Sequence, residues 1–268
     1  MNPKISILMG IYNCAETLGE AIDSILGQTY SNWELIMCDD GSSDHTYEIA
    51  TDYQARYPEK IIVLQNERNM GLNHTLNRCL AYATGKYIAR MDGDDLSLPE
   101  RLETEAHFLE AHPEFAIVSC PMIYFDEKGE RKLELKLCEE PVPSMLARGT
   151  VHCHAPCMVR ADAVKQVGGY SVDSKLLRVE DWHLWVKLYA AGYRGHNLKE
   201  PLYKMRDDRA ATGRRKFRYR LNEVYVCILA VRMLRLPIWN LVYALRPIVV
   251  GLLPRQLYCY LHNKKTGG

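Results

Sequence analysis

The stretch MDGDDLSLPE, Met91 to Glu100, places three carboxylates, Asp92, Asp94 and Asp95, within four positions. Anions this close repel one another, so the cluster makes chemical sense where a cation arrives. Carboxylate oxygens are the preferred ligands of hard divalent ions such as Mg²⁺ and Mn²⁺, and an ion held by one or two acids keeps positions open for phosphate oxygens. A solvated acidic turn, or a helix N-terminus whose dipole favours acids, is the plainer reading of the same spacing. A second pair, Asp39 and Asp40, opens the run DDGSSD, which is also good turn and N-cap chemistry. A third, Glu180 and Asp181, begins EDWHLWVKLYAAGY. Acids in a first helical turn complement the helix dipole.

His152, Cys153, His154 and Cys157 in HCHAPC are zinc-ligand types. In a strand 152 and 154 share a face while 153 points away, and the spacing does not match the usual zinc patterns. Zinc is therefore set aside. Trp182, Trp185, Leu188 and Tyr189 fall at helical spacing and read as a packed core face rather than a sugar-stacking platform. Met91 and Met122 read as core.

These residues need elements to position them. KISILMGIY, WELIMCDD, KIIVLQN and KYIARMD read as buried strands. AETLGEAIDSILGQTY, SDHTYEIATDYQARY, GLNHTLNRCLAYATG and LPERLETEAHFLEAH carry the helical period between and after them. Ser43 or Asp44 is the expected N-cap of the second helix, Gly85 the expected C-cap of the third, and Pro99 lies near the first turn of the fourth. Strand–helix alternation with short connections predicts a parallel sheet with right-handed crossovers. Ligands bind such sheets outside the carboxyl ends of the strands, where Asp39, Asp40, Asp92 and Asp94 all fall. In the second half, FAIVSCPMIYFDEKGER predicts strands around a turn at EKG, VHCHAPCMVR a strand, and EDWHLWVKLYAAGY a helix.

A chain of 268 residues, 47% hydrophobic and 25% charged, fits one large domain, or one domain with a helical appendage. The start MNPKISILMG has no secretion-signal pattern. Nine cysteines, an odd number without a CxxC pair, point to a reduced, cytosolic compartment. The net charge of +1 hides an asymmetry: residues 209–268 hold 12 Lys and Arg against one acid, Glu223, and the preceding 208 residues stand at −10. The acidic body argues against nucleic acid; the basic tail argues for an anionic partner such as a membrane surface. Within the tail, LPIWNLVYALRPIVVGLLP approaches the ~20 apolar residues a membrane span requires. Arg246 in its middle and Pro237, Pro247 and Pro254 oppose a span. An interfacial helix pair, with Arg214, Arg215, Lys216, Arg218 and Arg220 among lipid headgroups, fits better. The alternative is a helical cap folded on the body, or a dimer interface.

ISILMGIYN, WELIMCDDGSSD, GKYIARMDGDD and EDWHLWVKLYAAGY occur in the order and approximate spacing of family 2 glycosyltransferases, and the chain resembles that family over roughly Lys4 to Arg206. The resemblance implies the GT-A fold: an α/β, mostly parallel, Rossmann-like sheet flanked by helices. Residues 1–208 would form the catalytic domain, with 1–113 the nucleotide-binding half and 114–208 the acceptor half. Residues 209–268 would be the basic, apolar helical extension. It further implies nucleotide binding by Gly10, Tyr12, Asn13, Asp40 and Asp92. Asp40 would accept the imide N–H of a uracil- or thymine-type base, and Asp92 would face the ribose. Asp94, with Asp92, would hold Mn²⁺ or Mg²⁺ on the donor diphosphate, and Asp95 would support the loop. Asp181 would be the base, with Glu180 its neighbour. Arg206 would contact the diphosphate, or else pair with Asp207 or Asp208. His154 would line the acceptor side or, the favoured reading, be a structural residue hydrogen-bonded near the cleft.

Two departures stand out: Gly10-Ile11 replaces the Pro-Thr of many relatives, removing a hydroxyl near the base site, and LYKMRDD keeps Arg206 but lacks the family's nearby histidine. The implied activity is a metal-assisted, inverting, single-displacement transfer from a UDP- or dTDP-sugar to a hydroxyl of a lipid-linked or cell-surface glycan. The implied location is the cytoplasm, peripheral on the cytoplasmic face of the membrane. Two rivals are a nucleotidyltransferase and an inactive nucleotide-sugar-binding module. The first needs a Gly-rich basic loop after the first strand, and GIYNCAETLGEA has no Lys or Arg. The second is opposed by the intact acids Asp40, Asp92, Asp94 and Asp181.

Overall fold

The apolar runs of the first half become strands because helices cover both of their faces. The computed structural model describes residues 2–132, 137–207 and 217–252. Four strands, β1 (Ile5–Ile11), β2 (Trp33–Asp39), β3 (Ile61–Gln65) and β4 (Tyr87–Asp92), alternate with α1 (Ala15–Leu26), α2 (Thr46–Arg56) and α3 (Leu72–Tyr82). They pair parallel in the order β4-β1-β2-β3, as the alternation predicts. All seven residues of β2 are buried, the pattern of a strand covered on both sides. Along β1, Ile7 and Met9 join Leu18, Ile22, Ile25 and Leu102 in one core, while Leu8 joins Ile36, Leu76, Ile88 and Trp185 in the other. This is the two-residue alternation of a strand, read through two layers of helix.

The second half extends the sheet. After β5 (Leu96–Ser97) and α4 (Arg101–Ala111) come β6 (Ile117–Ser119), β7 (Met122–Asp126) and β8 (Gly129–Lys132), then β9 (Met158–Arg160), α5 (Ala161–Gln166), α6 (Glu180–Ala190), β10 (Gly195–Asn197) and β11 (Tyr203–Arg206). The full sheet runs β10-β6-β9-β4-β1-β2-β3, and β9 lies antiparallel between β4 and β6. A second sheet, β5-β11-β7-β8, stands beside it. The strand expected over VHCHAPCMVR shrinks to Met158–Arg160. Upstream the chain turns, with the Cys157 N–H donating to the His154 carbonyl at 3.2 Å, and Pro156 has no N–H to give a ladder.

Two capping expectations are refined. His45 occupies the N-cap position of α2, but Asp44 supplies the chemistry, accepting the Thr46 N–H at 3.0 Å and the Ala15 N–H at 3.2 Å. Gly85 does not cap α3, which ends at Tyr82 with Ala83 following. It lies against the start of β1, where an added Cβ would come within 2.6 Å of the Ser6 nitrogen and 2.7 Å of the Lys4 oxygen. Backbone cannot yield there, so Gly85→Ala is expected to lower stability by about 1–3 kcal/mol. Gly27→Ala, where the nearest foreign atom is 3.4 Å away and φ is −80°, should be near neutral. Thermal melts of the two variants check this; equal melting temperatures would contradict it.

Of the tail, α7 (Phe217–Met233) buries Val226, Cys227 and Ala230 in the same core as α6. A 3-10 stretch, Ile238–Ala244, and α8 (Leu245–Leu252) follow. Outward they expose Ile238, Trp239, Val242, Leu245, Val249 and Leu252. No helix among the described residues is long and apolar enough to cross a membrane. Arg214, Arg215, Lys216 and Pro254 lie outside the described residues.

Candidate active site

At the carboxyl ends of β1 and β2 two loops are stitched together. Asn13, in the left-handed region at φ +48°, accepts the Ser43 N–H at 2.8 Å, and its own N–H donates to Ser42 Oγ at 3.0 Å. Asp39, fully buried, accepts from the Ser42 N–H at 3.2 Å and its hydroxyl at 2.5 Å. Asp40 anchors a third loop: it takes Asn66 Nδ2 at 2.7 Å and the N–H groups of Met70 and Gly71 at 2.8 Å each. Three donors leave about one of a carboxylate's roughly four acceptor positions open. The open capacity is on Oδ2, which carries only the Gly71 N–H.

Asp40 faces a cavity of about 360 Å³, within the ~300–1,000 Å³ typical of small-molecule sites. Gly10 and Tyr12 line it from the end of β1 and the turn after it, Gly71 from the turn before α3, Arg178 and Glu180 from the chain entering α6, and Tyr219 from α7. Gly10 allows the approach of α3: a Cβ there would lie 2.9 Å from Leu72 Cδ1. Tyr12 is half-exposed at the mouth. Asn13 is not in the lining; it holds the loop that presents Tyr12.

The acids of MDGDD have different partners. Asp92 pairs with the buried guanidinium of Arg90, and its N–H donates to the Tyr203 hydroxyl at 3.2 Å. Asp95 accepts the Arg206 N–H at 2.8 Å, a loop-supporting contact. Asp94 has no side-chain partner among the described residues. Burial, with Asp92 beside it, lifts its carboxyl above the usual range. Asp95 is lifted well above that range by burial and by Asp92 and Asp94. Among the described residues no three His, Cys, Asp or Glu side chains enclose a metal. A divalent ion held by one or two carboxylates and completed by phosphates needs no such cage. The chemistry of the set fits that ion, because it would relieve the repulsion that lifts Asp94 and Asp95. The Asp94 carboxylate makes no ion pair among the described residues, whereas the Asp92 oxygens are shared with Arg90.

Arg206 is committed elsewhere. Its Nε donates to the Asp94 carbonyl at 2.9 Å and its guanidinium pairs with Glu20 at 2.7 Å. Asp207 pairs instead with Arg131, and Asp208 lies outside the described residues. Arg206 thus braces the acidic loop from behind.

Glu180 and Asp181 open α6. Burial, and then the Glu180 charge, push the Asp181 carboxyl up to about 6, against the lowering effect of the Trp182 N–H, its own N–H and the Thr150 hydroxyl. Behind them Trp182, Trp185, Leu188 and Tyr189 are all buried, a core face as expected. His154 Nε2 bonds the Tyr170 hydroxyl at 2.8 Å and its ring meets the edge of Trp185. Burial and the nearby Arg90 charge hold its imidazolium well below the usual range, so the ring is neutral. His152 is turned to Asn197 at 2.8 Å and Tyr189 at 3.0 Å, so the two histidines share no ligand.

Sequence reasoning missed Arg90, Arg178 and Tyr219. Arg90 was within reach: a cation inside an apolar strand, two residues before Asp92, shares its face. Arg178 and Tyr219 are 41 positions apart, and no local signal links them.

A profile described as Glycosyl transferase family 2 matches residues 6–168. "Putative glycosyltransferase EpsE" of Bacillus subtilis is 44% identical, covering 98% of this chain and 95% of that protein. "Amylovoran biosynthesis glycosyltransferase AmsE" of Erwinia amylovora is 29% identical, over 98% and 99%. "UDP-Glc:alpha-D-GlcNAc-diphosphoundecaprenol beta-1,3-glucosyltransferase WfaP" of Escherichia coli is 28% identical, over 75% and 77%. Among solved structures, S. aureus TarS 1-349 in complex with UDP-GlcNAc superposes with a TM-score of 0.73 at 19% identity, covering 91% of this chain and 72% of that one. Mannosyltransferase PcManGT from Pyrobaculum calidifontis, in complex with GDP-Man and Mn²⁺, does so at 0.68 and 19%, over 98% and 80%. At these identities the two structures speak to the GT-A-like fold.

Proposed function

The chain belongs to glycosyl transferase family 2, and from that premise we propose that it transfers a sugar, with inversion, from a UDP- or dTDP-sugar to a hydroxyl of a lipid-linked or cell-surface glycan. One observation carries the reading: a single cavity joins Asp40, Gly10 and Tyr12 to Glu180, with Asp181 next in the chain. Asp181 itself, like Asp92 and Asp94, is not in the lining; on this reading the base pocket and the general base adjoin at the carboxyl ends of the strands.

The chain's own residues divide the work. The open acceptor position of Asp40 receives the imide N–H of the base, while Asn66, Met70 and Gly71 keep the carboxylate fixed. Tyr12 offers an aromatic face at the mouth. Asp94 and Asp92 would hold the divalent ion, which when bound neutralises the leaving diphosphate as a Lewis acid. Asp181, ionised at neutral pH, takes the proton of the acceptor hydroxyl as that oxygen attacks the anomeric carbon from the face opposite the diphosphate. His154, neutral and bonded to Tyr170, keeps the wall behind α6 in place. The boundary at 208/209 is proposed as one of composition, with α7 closing the cleft and the outward apolar residues of 238–252, beside Arg246, resting on the cytoplasmic face of an anionic membrane.

The donor and acceptor classes draw support from WfaP, whose name specifies UDP-glucose and a diphosphoundecaprenol-linked acceptor, and from AmsE, named for amylovoran biosynthesis. The test is to incubate the purified chain and Mn²⁺ with UDP-glucose, UDP-galactose or UDP-GlcNAc and a prenyl-diphosphate-linked sugar. One α-linked donor should yield a β-linked product by NMR. An α-linked product, or no transfer from any nucleotide-sugar, would overturn the proposal.

A further inference from the structure

We propose that Arg178 binds a diphosphate group in the cleft and that α7 holds it in place. The inference rests on the reading above, that the cleft takes a nucleoside-diphosphate sugar.

Arg178 is one of three non-glycine residues in the left-handed region among the described residues, with φ +69°. A side chain with a Cβ is disfavoured there, and such conformations persist where the surroundings over-determine them, often at ligand sites. The surroundings do so here. On one side of Arg178, the buried Asn222 of α7 donates from Nδ2 to the Leu177 carbonyl at 2.9 Å, and Leu176 is buried. On the other, Val179 is buried and its carbonyl accepts the His183 N–H of α6 at 3.0 Å. Held at both flanks, the chain turns Arg178 onto the cavity wall, next to Glu180 and with Tyr219 of the same α7.

Charge gives the position its chemistry. Among the described residues, the charged members of the wall are Asp40, Glu180 and Arg178. A dianionic ligand would meet two acids, and among the described residues Arg178 is the only cation of the lining to set against them. Arg90, Arg131, Arg194 and Arg206 all have carboxylate partners. Arg178 makes no ion pair or hydrogen bond among the described residues. A guanidinium offers a planar fork of donors suited to phosphate oxygens. The diphosphate could be that of the nucleotide donor or that of a prenyl-linked acceptor, and binding to each separates the two.

The experiment measures binding of UDP, uridine and geranyl diphosphate, with Mn²⁺, to the full chain and to its Arg178→Ala, Arg178→Lys and Arg178→Gly variants. Loss of a charge-assisted hydrogen-bonding group is worth on the order of 10- to 100-fold in affinity. Arg178→Ala should weaken UDP by that factor and leave uridine unchanged, with Arg178→Lys in between. The same loss for geranyl diphosphate instead assigns the residue to the acceptor's diphosphate. Arg178→Gly separates contact from scaffold: glycine relieves the left-handed backbone, so its melting temperature should rise while its diphosphate affinity falls. Unchanged affinity for both diphosphates in Arg178→Ala overturns the inference and leaves the transferase reading standing. A wild-type chain that binds no nucleotide with Mn²⁺ overturns that reading and the inference with it.

Discussion

Asp181→Asn is expected to lower kcat by about 10²- to 10⁴-fold, the usual contribution of a positioned general base, while nucleotide affinity stays within about twofold. Asparagine keeps the shape and the hydrogen bonds of the α6 start but cannot take a proton. The pH profile gives a second signature. The Asp181 carboxyl is lifted from the ordinary ~3.9 to about 6 by burial and by Glu180. Its basic form is the carboxylate, so activity should be full above that value and fall as pH drops through about 6. The residual rate of Asp181→Asn should lack this acid limb. A variant with wild-type turnover would place the base elsewhere.

The next largest effect separates two neighbouring acids. Asp94 has no side-chain partner among the described residues and is lifted by burial and by Asp92. Asp94→Asn should therefore abolish Mn²⁺-dependent nucleotide binding and cost no stability. A small gain is expected at neutral pH. The sign follows from linkage: a carboxyl whose folded value is raised opposes folding when ionised, so removing it helps at pH 7, and the help vanishes as pH falls below the ordinary carboxylate range. Asp92→Asn should do the opposite to stability. It leaves the Arg90 guanidinium, 5% exposed, without its carboxylate. Breaking a fully buried pair costs about 3–5 kcal/mol; with Asp92 29% exposed, water screens part of this and about 2 kcal/mol is expected. Chemical denaturation of both variants, alongside nucleotide titrations, checks the contrast. Equal loss of stability would contradict this, because it would mean that the Asp94 carboxylate is held by attraction as the Asp92 carboxylate is.

Much of the first half could be read directly from the sequence. Continuous apolar runs such as ISILMGI have one outcome in an alternating α/β chain, and the acids fall at strand ends by arithmetic alone. The reading weakened where geometry depends on distant partners. Gly85 looks like a helix cap, yet its reason is the backbone of Lys4 and Ser6, 79 to 81 residues earlier. VHCHAPCMVR has the composition of a strand, but Pro156 and the buried bonds of His152 to Asn197 and Tyr189 bend it. For Arg206 the sequence left a diphosphate, Asp207 and Asp208 open, and its partners in the structure are Glu20 and the Asp94 carbonyl, both distant in the chain. The tail's basic, apolar composition drew attention to its outer face. Its inner face, where α7 carries Asn222 to the Leu177 carbonyl and Tyr219 to the cavity, is encoded only in packing.

The most direct test of the central claim is calorimetric titration of the full chain with UDP, dTDP, GDP and CMP, with and without Mn²⁺. The geometry of Asp40 and the free carboxylate of Asp94 predict that UDP or dTDP binds, and only in the presence of the metal. Binding that ignores Mn²⁺, or no binding by any of the four, would contradict the account. The acids of MDGDD would then be a turn, and the cleft would lose its donor.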